Sequence, residues 1–210
     1  MFDDLSAVDI SSTVGLVAMV LFTLQILMGL LVSVNYNTVK QWPHRKLPVP
    51  LYKIHNWNAY LALSVAVLHP TILLFSKTAH FAIGDVLLPL NSPGQRLYNN
   101  LGALTFYSFT LVVVTSYFRR RLGHVAWKKL HYVAYFAAGL MFVHGTLIDQ
   151  NLKGQTPDFL DGEKVLVEGC FLLVVAASIW RWRYGSEKKR YLSARAAQLL
   201  ESSNIESAGN

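Results

Sequence analysis

Four histidines within apolar stretches are the residues of this 210-residue chain whose type and spacing could do chemistry. His55 and His69 are 14 residues apart, and His131 and His144 are 13 residues apart. An ionisable side chain inside a membrane-spanning helix is costly and marks a functional site by default. At a rise of ~1.5 Å per residue, each pair spans about 20 Å along a helix. Two such helices could hold two stacked metal centres and carry electrons across a bilayer.

The composition around these histidines is typical of a membrane protein. Hydrophobic residues make up 53% of the chain and charged residues 15%, whereas a soluble domain usually carries about 25% charge. The single cysteine, Cys170, excludes an internal disulfide, a CxxCH haem-attachment motif and a cysteine-ligated iron–sulfur cluster.

The elements that must position the histidines are transmembrane helices. Five apolar stretches are long enough to cross the ~30 Å hydrocarbon core, namely 14–34, 53–75, 97–118, 129–148 and 165–182. A further apolar stretch, 81–90, is too short to span and is interpreted as an interfacial or re-entrant segment. The sequence therefore predicts an all-α integral membrane protein, a bundle of five transmembrane helices.

Charge placement predicts the orientation and the domain boundaries. Most of the 19 lysine and arginine residues lie in the segments 35–54 and 119–129 and in the tail after the last span. Basic loops stay cytoplasmic, so the N-terminus is predicted outside and the C-terminus inside. We divide the chain into an N-terminal extramembrane segment (1–13), a membrane domain (14–184) and a cytoplasmic tail (185–210), in which a short amphipathic helix leads into disorder. Because the basic residues flank spans, they indicate contact with anionic lipid and exclude nucleic acid as the partner.

This topology pairs the histidines by depth. His55 pairs with His131 near the cytoplasmic face, and His69 pairs with His144 near the outer face. Two axial histidines give haem iron a six-coordinate, low-spin centre that is suited to electron transfer.

Helical geometry places the two histidines on one face of the helix in the second span but not in the fourth. In the second span, 14 residues return the side chain to within about 40° of the same face. In the fourth span, 13 residues leave His144 about 140° from His131 on an ideal helix. Rotation between two haems, a helix irregularity near Gly139 or Gly145, or supercoiling could absorb part of this difference.

Other readings of the histidines stay open at this point. A histidine near a helix end, such as His55 or His131, is often an interfacial residue with a satisfied hydrogen bond, whereas His69 and His144 lie well inside apolar sequence. A zinc or copper transport site usually adds carboxylate, cysteine or methionine ligands, and no carboxylate or cysteine lies within a turn of the four histidines inside the membrane. Pro70 is either a tolerated transmembrane proline or a kink that makes room for a macrocycle.

Sequence motifs around the histidines resemble those of a known family. KIHNW at 53–57 continues to VLHP at 67–70, and the basic loop RRRLGHVAWKKLHY at 119–132 continues to VHG at 143–145. Over about residues 50–185 the chain resembles the ferric reductase-like transmembrane domain, the core shared by NADPH oxidases, ferric reductases and small bacterial haem membrane proteins. The spacing, the order and the flanking loop all match.

The resemblance implies a cytochrome b-like oxidoreductase with two b haems, stacked between the second and fourth spans. His55 and His131 would hold the inner iron, and His69 and His144 the outer iron. Electrons would pass from a cytoplasmic flavoprotein reductase or quinol to an outside acceptor such as ferric iron, oxygen or a periplasmic partner enzyme.

The absence of a GxGxxG motif and of room for flavin or nicotinamide domains implies an electron-transfer subunit that binds no flavin and cannot use NADPH alone. We expect it in a bacterial inner membrane. One alternative is a dedicated haem subunit of a periplasmic oxidoreductase, such as a methionine sulfoxide reductase system. A histidine-dependent metal transporter is the other.

Charged residues near the inner histidines have two readings. In the first reading, Arg121 and its basic neighbours only set the topology of the chain. In the second, they also reach the propionates of the inner haem or dock the electron donor. The histidines His44, His80 and His124 lie in loops and are expected to be solvated. His80 could also help an acceptor approach the outer haem.

Overall fold

The computed structural model describes residues 7–34, 49–77, 80–148 and 160–208, and within these ranges the chain is helical, with no strand. The α-helices are α1 (Ala7–Ser33), α2 (Leu51–Ile72), α3 (Ile83–Leu87), α4 (Arg96–Tyr117), α5 (Arg119–Leu122), α6 (His124–His131), α7 (Val133–Leu147) and α8 (Gly162–Ala208). Short 3₁₀ turns follow α2 at Leu73–Phe75 and α3 at Pro89–Asn91.

Helices long and apolar enough to cross a membrane confirm the predicted five-span, all-helical fold. In the described ranges they are Ala7–Ser33, Leu51–Phe75, Arg96–Tyr117, His124–Leu147 and Gly162–Arg195. The apolar stretch 81–90 forms only the five-residue α3 and part of a 3₁₀ turn, so it does not span, as predicted.

The first and last helices are longer than the apolar stretches that predicted them. α1 begins at Ala7 instead of residue 14, because Val8 and Ser11 are already buried against the bundle. α8 continues without interruption to Ala208, so the expected short tail helix is joined to the fifth span. Residues 186–208 contain neither glycine nor proline, and nothing in that stretch breaks the helix.

The fourth span is interrupted directly after its first histidine. α6 ends at His131 and α7 begins at Val133. The Tyr132 N–H is shared between the carbonyls of Lys128 and Lys129, both at 3.3 Å, and the Tyr135 N–H donates to the Tyr132 carbonyl at 3.1 Å. Bonds to the third residue back mark tighter, 3₁₀-like winding.

This tighter winding supplies part of the missing helical phase, because one turn of about three residues adds about 60° of the roughly 140°. A 3₁₀ turn advances about 20° more per residue than an α-helix, which rotates His144 towards the face of His131. The sequence-based suggestion of an irregularity near Gly139 or Gly145 is wrong, because both glycines lie inside the continuous helix α7. The irregularity lies at Tyr132 instead.

Two antiparallel helix pairs make up most of the bundle. α1 packs chiefly on α2, and α4 packs chiefly on α7. α8 packs against both α1 and α7 and joins the two pairs. Each helix that carries paired histidines therefore packs against a neighbouring helix that carries none.

A buried apolar core lies between the two histidine levels. Its residues on α2 fall between His55 and His69, and those on α6–α7 fall between His131 and His144. The Phe22 and Phe109 rings meet edge to face there, with centroids 4.5 Å apart. The cluster comprises Met19, Phe22, Ala59, Ala62, Phe109, Val113, Ala137, Ala138, Met141, Phe142, Val167 and Cys170.

The outer surface of the bundle is apolar. Large side chains such as Trp57 and Leu172 are 73% and 64% exposed within their spans. Soluble monomers rarely expose apolar patches of this extent, so the outer faces of these helices contact lipid.

Candidate functional site

The His69 ring is fixed against α1. Its Nδ1 donates to the Ser11 carbonyl at 2.8 Å, and the Ser11 hydroxyl donates to the His69 carbonyl at 2.7 Å. A carbonyl oxygen only accepts, so the ring proton lies on Nδ1. The lone pair of Nε2 is therefore left for another partner.

The His144 ring is fixed in the same way against α4. Its Nδ1 donates to the Tyr98 carbonyl at 2.8 Å. Metal-binding histidines almost always donate their other ring N–H to a carbonyl, a carboxylate or water, which fixes the tautomer and raises the basicity of the ligating nitrogen. His69 and His144, together the His69/His144 site, both have this arrangement.

Glycines on α1 and α4 let these two rings approach the neighbouring helix. A Cβ atom at Gly15 would lie 2.8 Å from His69 Cε1. A Cβ atom at Gly102 would lie 2.8 Å from His144 Cε1. Any side chain at either position would push the ring away from the carbonyl that it bonds.

A cavity of about 310 Å³ opens between the two rings, and both His69 and His144 line it. Ligand-binding cavities typically start at about this size. Its walls are mainly apolar and include the segment around α3, from Phe81 to Pro89. The Tyr107 hydroxyl donates to the Leu87 carbonyl and ties that segment to α4.

The second pair, His55 and His131, lies at the other level of the bundle, and we call it the His55/His131 site. The two ring centroids are 6.4 Å apart, with the rings inclined at 61°. Two imidazoles on opposite sides of one metal ion need about 6 Å between centroids, since each metal–nitrogen bond is ~2 Å long. The spacing of this pair therefore suits a single ion between them.

His55 contacts the buried Gln25 amide of α1, which Asn58 of α2 also contacts. Its Nε2 accepts from Gln25 Nε2 at 3.2 Å, while its Nδ1 is buried with no hydrogen-bond partner among the described residues. Asn58 Nδ2 donates to Gln25 Oε1 at 3.0 Å and to the Leu21 carbonyl at 2.9 Å. To ligate a metal through Nε2, His55 must exchange its contact with Gln25.

His131 has its partner on α4. Ser116 Oγ lies 3.3 Å from His131 Nδ1, and Trp127 Nε1 donates to the same hydroxyl at 3.2 Å. The Trp127 ring also lies beside the His131 ring, with centroids 5.1 Å apart. Nδ1 of His131 is thus engaged, as in the His69/His144 site, and Nε2 is left for a metal.

Among the described residues, the donor set fits iron in a macrocycle better than it fits a protein-only metal site. Over the described part of the chain, no group of three or more His, Cys, Asp or Glu side chains could hold a metal ion. Zinc sites take three or four protein ligands. A pair of neutral imidazoles instead provides the two axial ligands of a haem.

Other residues predicted from the sequence lie away from the paired rings. Arg121 is exposed, with its guanidinium carbon 5.7 Å from the centroid of the Phe118 ring. His80 is exposed in a left-handed conformation (φ 51°) next to the cavity-lining segment. His124 is exposed at the start of α6 and its ring lies 5.8 Å from that of Trp127. His44 and most of the basic segment 35–54 lie outside the described residues.

The residues that orient the histidines are not apparent from the histidine motifs. Gly15 and Gly29 on α1 are 14 residues apart, as are Gly102 and Ser116 on α4; this equals the spacing of His55 and His69 and is within one residue of that of His131 and His144. A Cβ atom at Gly29 would lie 3.3 Å from His55 Cε1. A small residue repeated at the ligand spacing in the neighbouring span is the signal that could have identified them.

Comparison with known proteins agrees with the geometry. The sequence model of the family described as "Ferric reductase like transmembrane component" matches residues 14–142. The match covers more than half of the chain, includes His55, His69 and His131, and ends just before His144. No curated protein and no solved structure matches the chain. With its histidines paired at two levels between helices, and with this match, the chain belongs to the ferric reductase-like transmembrane family.

Proposed function

We propose that this protein carries electrons across a membrane through two b haems, each held by two histidines. Membership of the ferric reductase-like family supports oxidoreductase activity by transmembrane electron transfer. The observation that carries the proposal is the bonding of His69 and His144 through Nδ1 to main-chain carbonyls, which leaves the lone pair of each Nε2 for a metal, while both residues line one cavity.

The residues of the chain fit the group that the family implies. His69 and His144 would hold one haem, and His55 and His131 the other. When bound, haem supplies an iron that gains and loses one electron. The helices hold the ligand rings at fixed tautomers and orientations, and the surrounding apolar side chains exclude water.

The orientation follows from charge. The exposed basic helix α5 and the basic residues of α6 lie at the level of the His55/His131 site, and basic segments stay cytoplasmic. We therefore place this site on the inner side and the His69/His144 site on the outer side. Arg121 belongs to this inner basic surface and remains a candidate contact for the haem propionates or for the donor.

The electron source and sink follow from this placement. A separate flavoprotein reductase or quinol delivers electrons on the cytoplasmic side, and an acceptor takes them outside, whether ferric iron, oxygen or a periplasmic protein. Because two histidines would hold each iron, an acceptor would receive electrons without binding the metal. We place the protein in a bacterial inner membrane, with the donor in the cytoplasm and the acceptor outside.

Redox-difference spectroscopy of the purified protein tests the proposal. We expect two b haems per chain, with a Soret band that sharpens on reduction by dithionite. His69→Ala should remove the outer haem, stop electron transfer to outside acceptors and spare most of the inner haem. His55→Ala should have the converse effect on haem content.

Matched controls are provided by histidines outside the pairs. His80→Ala and His124→Ala remove exposed imidazoles and should retain both haems. A colourless protein, or a His69→Ala variant with full haem content and full activity, would refute the proposed site.

A further inference from the structure

Lys164 is a buried cation inside the membrane bundle. It lies in the first turn of α8 and is only 4% exposed. Its Nζ donates to the Gly145 carbonyl at 2.9 Å and to the Ile148 carbonyl. A lysine removed from water within a transmembrane segment is costly, and such residues usually serve a function.

The ammonium group lies against the turn of α7 that carries an outer ligand. Gly145 follows His144 directly, and the Ile148 N–H donates to the His144 carbonyl at 2.9 Å. Gly145 and Ile148 also line the cavity of the His69/His144 site. One residue step is about 3.8 Å, so the charge lies within roughly 10 Å of the His144 ring.

A fixed positive charge near a redox centre favours its reduced form, because the added electron is attracted to it. Two unit charges about 10 Å apart, at an effective dielectric constant near 20, interact strongly enough to change an equilibrium at least tenfold. Lys164 also offsets the partial negative charge at the C-terminal end of α7, which would otherwise disfavour the electron.

We propose that Lys164 raises the reduction potential of the centre at the His69/His144 site, so that electrons leaving the His55/His131 site collect at the outer one. One electron is lost at the inner centre and one is gained at the outer centre. This inference rests on the proposed haem function. It adds an electrostatic residue that touches neither the iron nor the acceptor.

The neighbouring acid supplies a test of sign. Glu163 precedes Lys164, and its Oε2 accepts from the Ser12 hydroxyl at 3.5 Å. Ser12 lines the same cavity, so the carboxylate acts on the outer centre with the opposite sign. If charge at this turn of α8 has no effect on the outer centre, Glu163→Gln leaves the reduction potential of that centre unchanged.

The experiment is a potentiometric titration in a His55→Ala background, where a single outer haem remains. Lys164→Met should lower its midpoint potential by an amount equal to at least a tenfold change in the reduced-to-oxidised ratio, ~59 mV for one electron. Lys164→Arg should keep the potential. Glu163→Gln should raise it, and this arm tests the idea even if Lys164→Met does not fold.

Arg181→Met is the matched control. Arg181 is 17 residues further along α8, about 25 Å away, and its Nε donates to Ser33 Oγ at the other end of the bundle. Replacing Arg181 should leave the midpoint potential of the outer haem unchanged. An unshifted potential in Lys164→Met, or a Glu163→Gln potential that is unchanged or lowered, overturns this inference while the haem function stands. Absence of haem from the unmodified protein overturns the proposed function instead.

Discussion

If the His69/His144 site binds haem as proposed, replacing the glycines that face these two histidines should expel that haem. In Gly102→Ala the new methyl carbon would lie 2.8 Å from His144 Cε1 and 3.1 Å from both ring nitrogens. In Gly15→Ala it would lie 2.8 Å from His69 Cε1 and 2.9 Å from Nδ1. Non-bonded carbon atoms prefer about 3.5–4.0 Å, so each ring must move away from the helix that carries the glycine.

The size of the effect follows from this overlap. An extra methyl group in a packed interior costs about 1–3 kcal/mol. If that energy opposes the ligated geometry, haem affinity falls by roughly 5- to 150-fold. Gly29→Ala should have a smaller effect on the inner site, since its closest ring atom is at 3.3 Å. Gly139→Ala places a methyl group where nothing lies within 4 Å, and should stabilise α7 by up to ~1 kcal/mol.

The assay is haem content per chain, with the retained haem identified by its midpoint potential. Gly15→Ala and Gly102→Ala should each retain the inner haem and lose outer haem during washing. Gly139→Ala should retain both. If Gly102→Ala holds its outer haem as firmly as Gly139→Ala does, the ring does not lie against α4 as described, and the reasoning is wrong.

Two further substitutions test the inner site. Ser116→Ala removes the hydroxyl at 3.3 Å from His131 Nδ1. It should shift the midpoint potential of the inner haem and leave that of the outer haem constant. The control is Ser64→Ala, at an exposed serine of α2, which should shift neither midpoint potential. Gln25→Leu removes the amide that bonds His55 Nε2. If that amide competes with iron, haem reconstitution of the purified apoprotein should be faster at the inner site, and an unchanged rate would show that the contact does not compete.

The spans, and the four histidines as candidate ligands, could be predicted because their signals are local. An apolar stretch of about 20 residues has few alternatives to a membrane helix. A histidine inside such a stretch is energetically costly and therefore indicates a function. The 14-residue spacing of His55 and His69 places both side chains on one face of the helix. These two inferences required no knowledge of the neighbouring helices.

Features that depend on neighbouring helices could not be predicted. The change in winding at Tyr132 is needed only because His131 and His144 must both reach α4. Lys164 resembles an ordinary span-flanking cation in the sequence, but packing of α8 on α7 turns it into the bundle. Gly15 resembles any small residue of an apolar helix until the His69 ring is placed beside it.

If haem occupies both histidine levels and the His55/His131 site lies on the inner side, as proposed, the apolar core between the levels also makes electron transfer responsive to membrane voltage. The levels are about 20 Å apart along the helices, roughly two thirds of the ~30 Å hydrocarbon thickness. An electron that moves between them crosses a similar share of the transmembrane field, worth ~1.5 kcal/mol per 100 mV. With haem at both sites, the internal transfer is therefore electrogenic. An inside-negative potential drives electrons outward, and each electron that leaves discharges part of that potential.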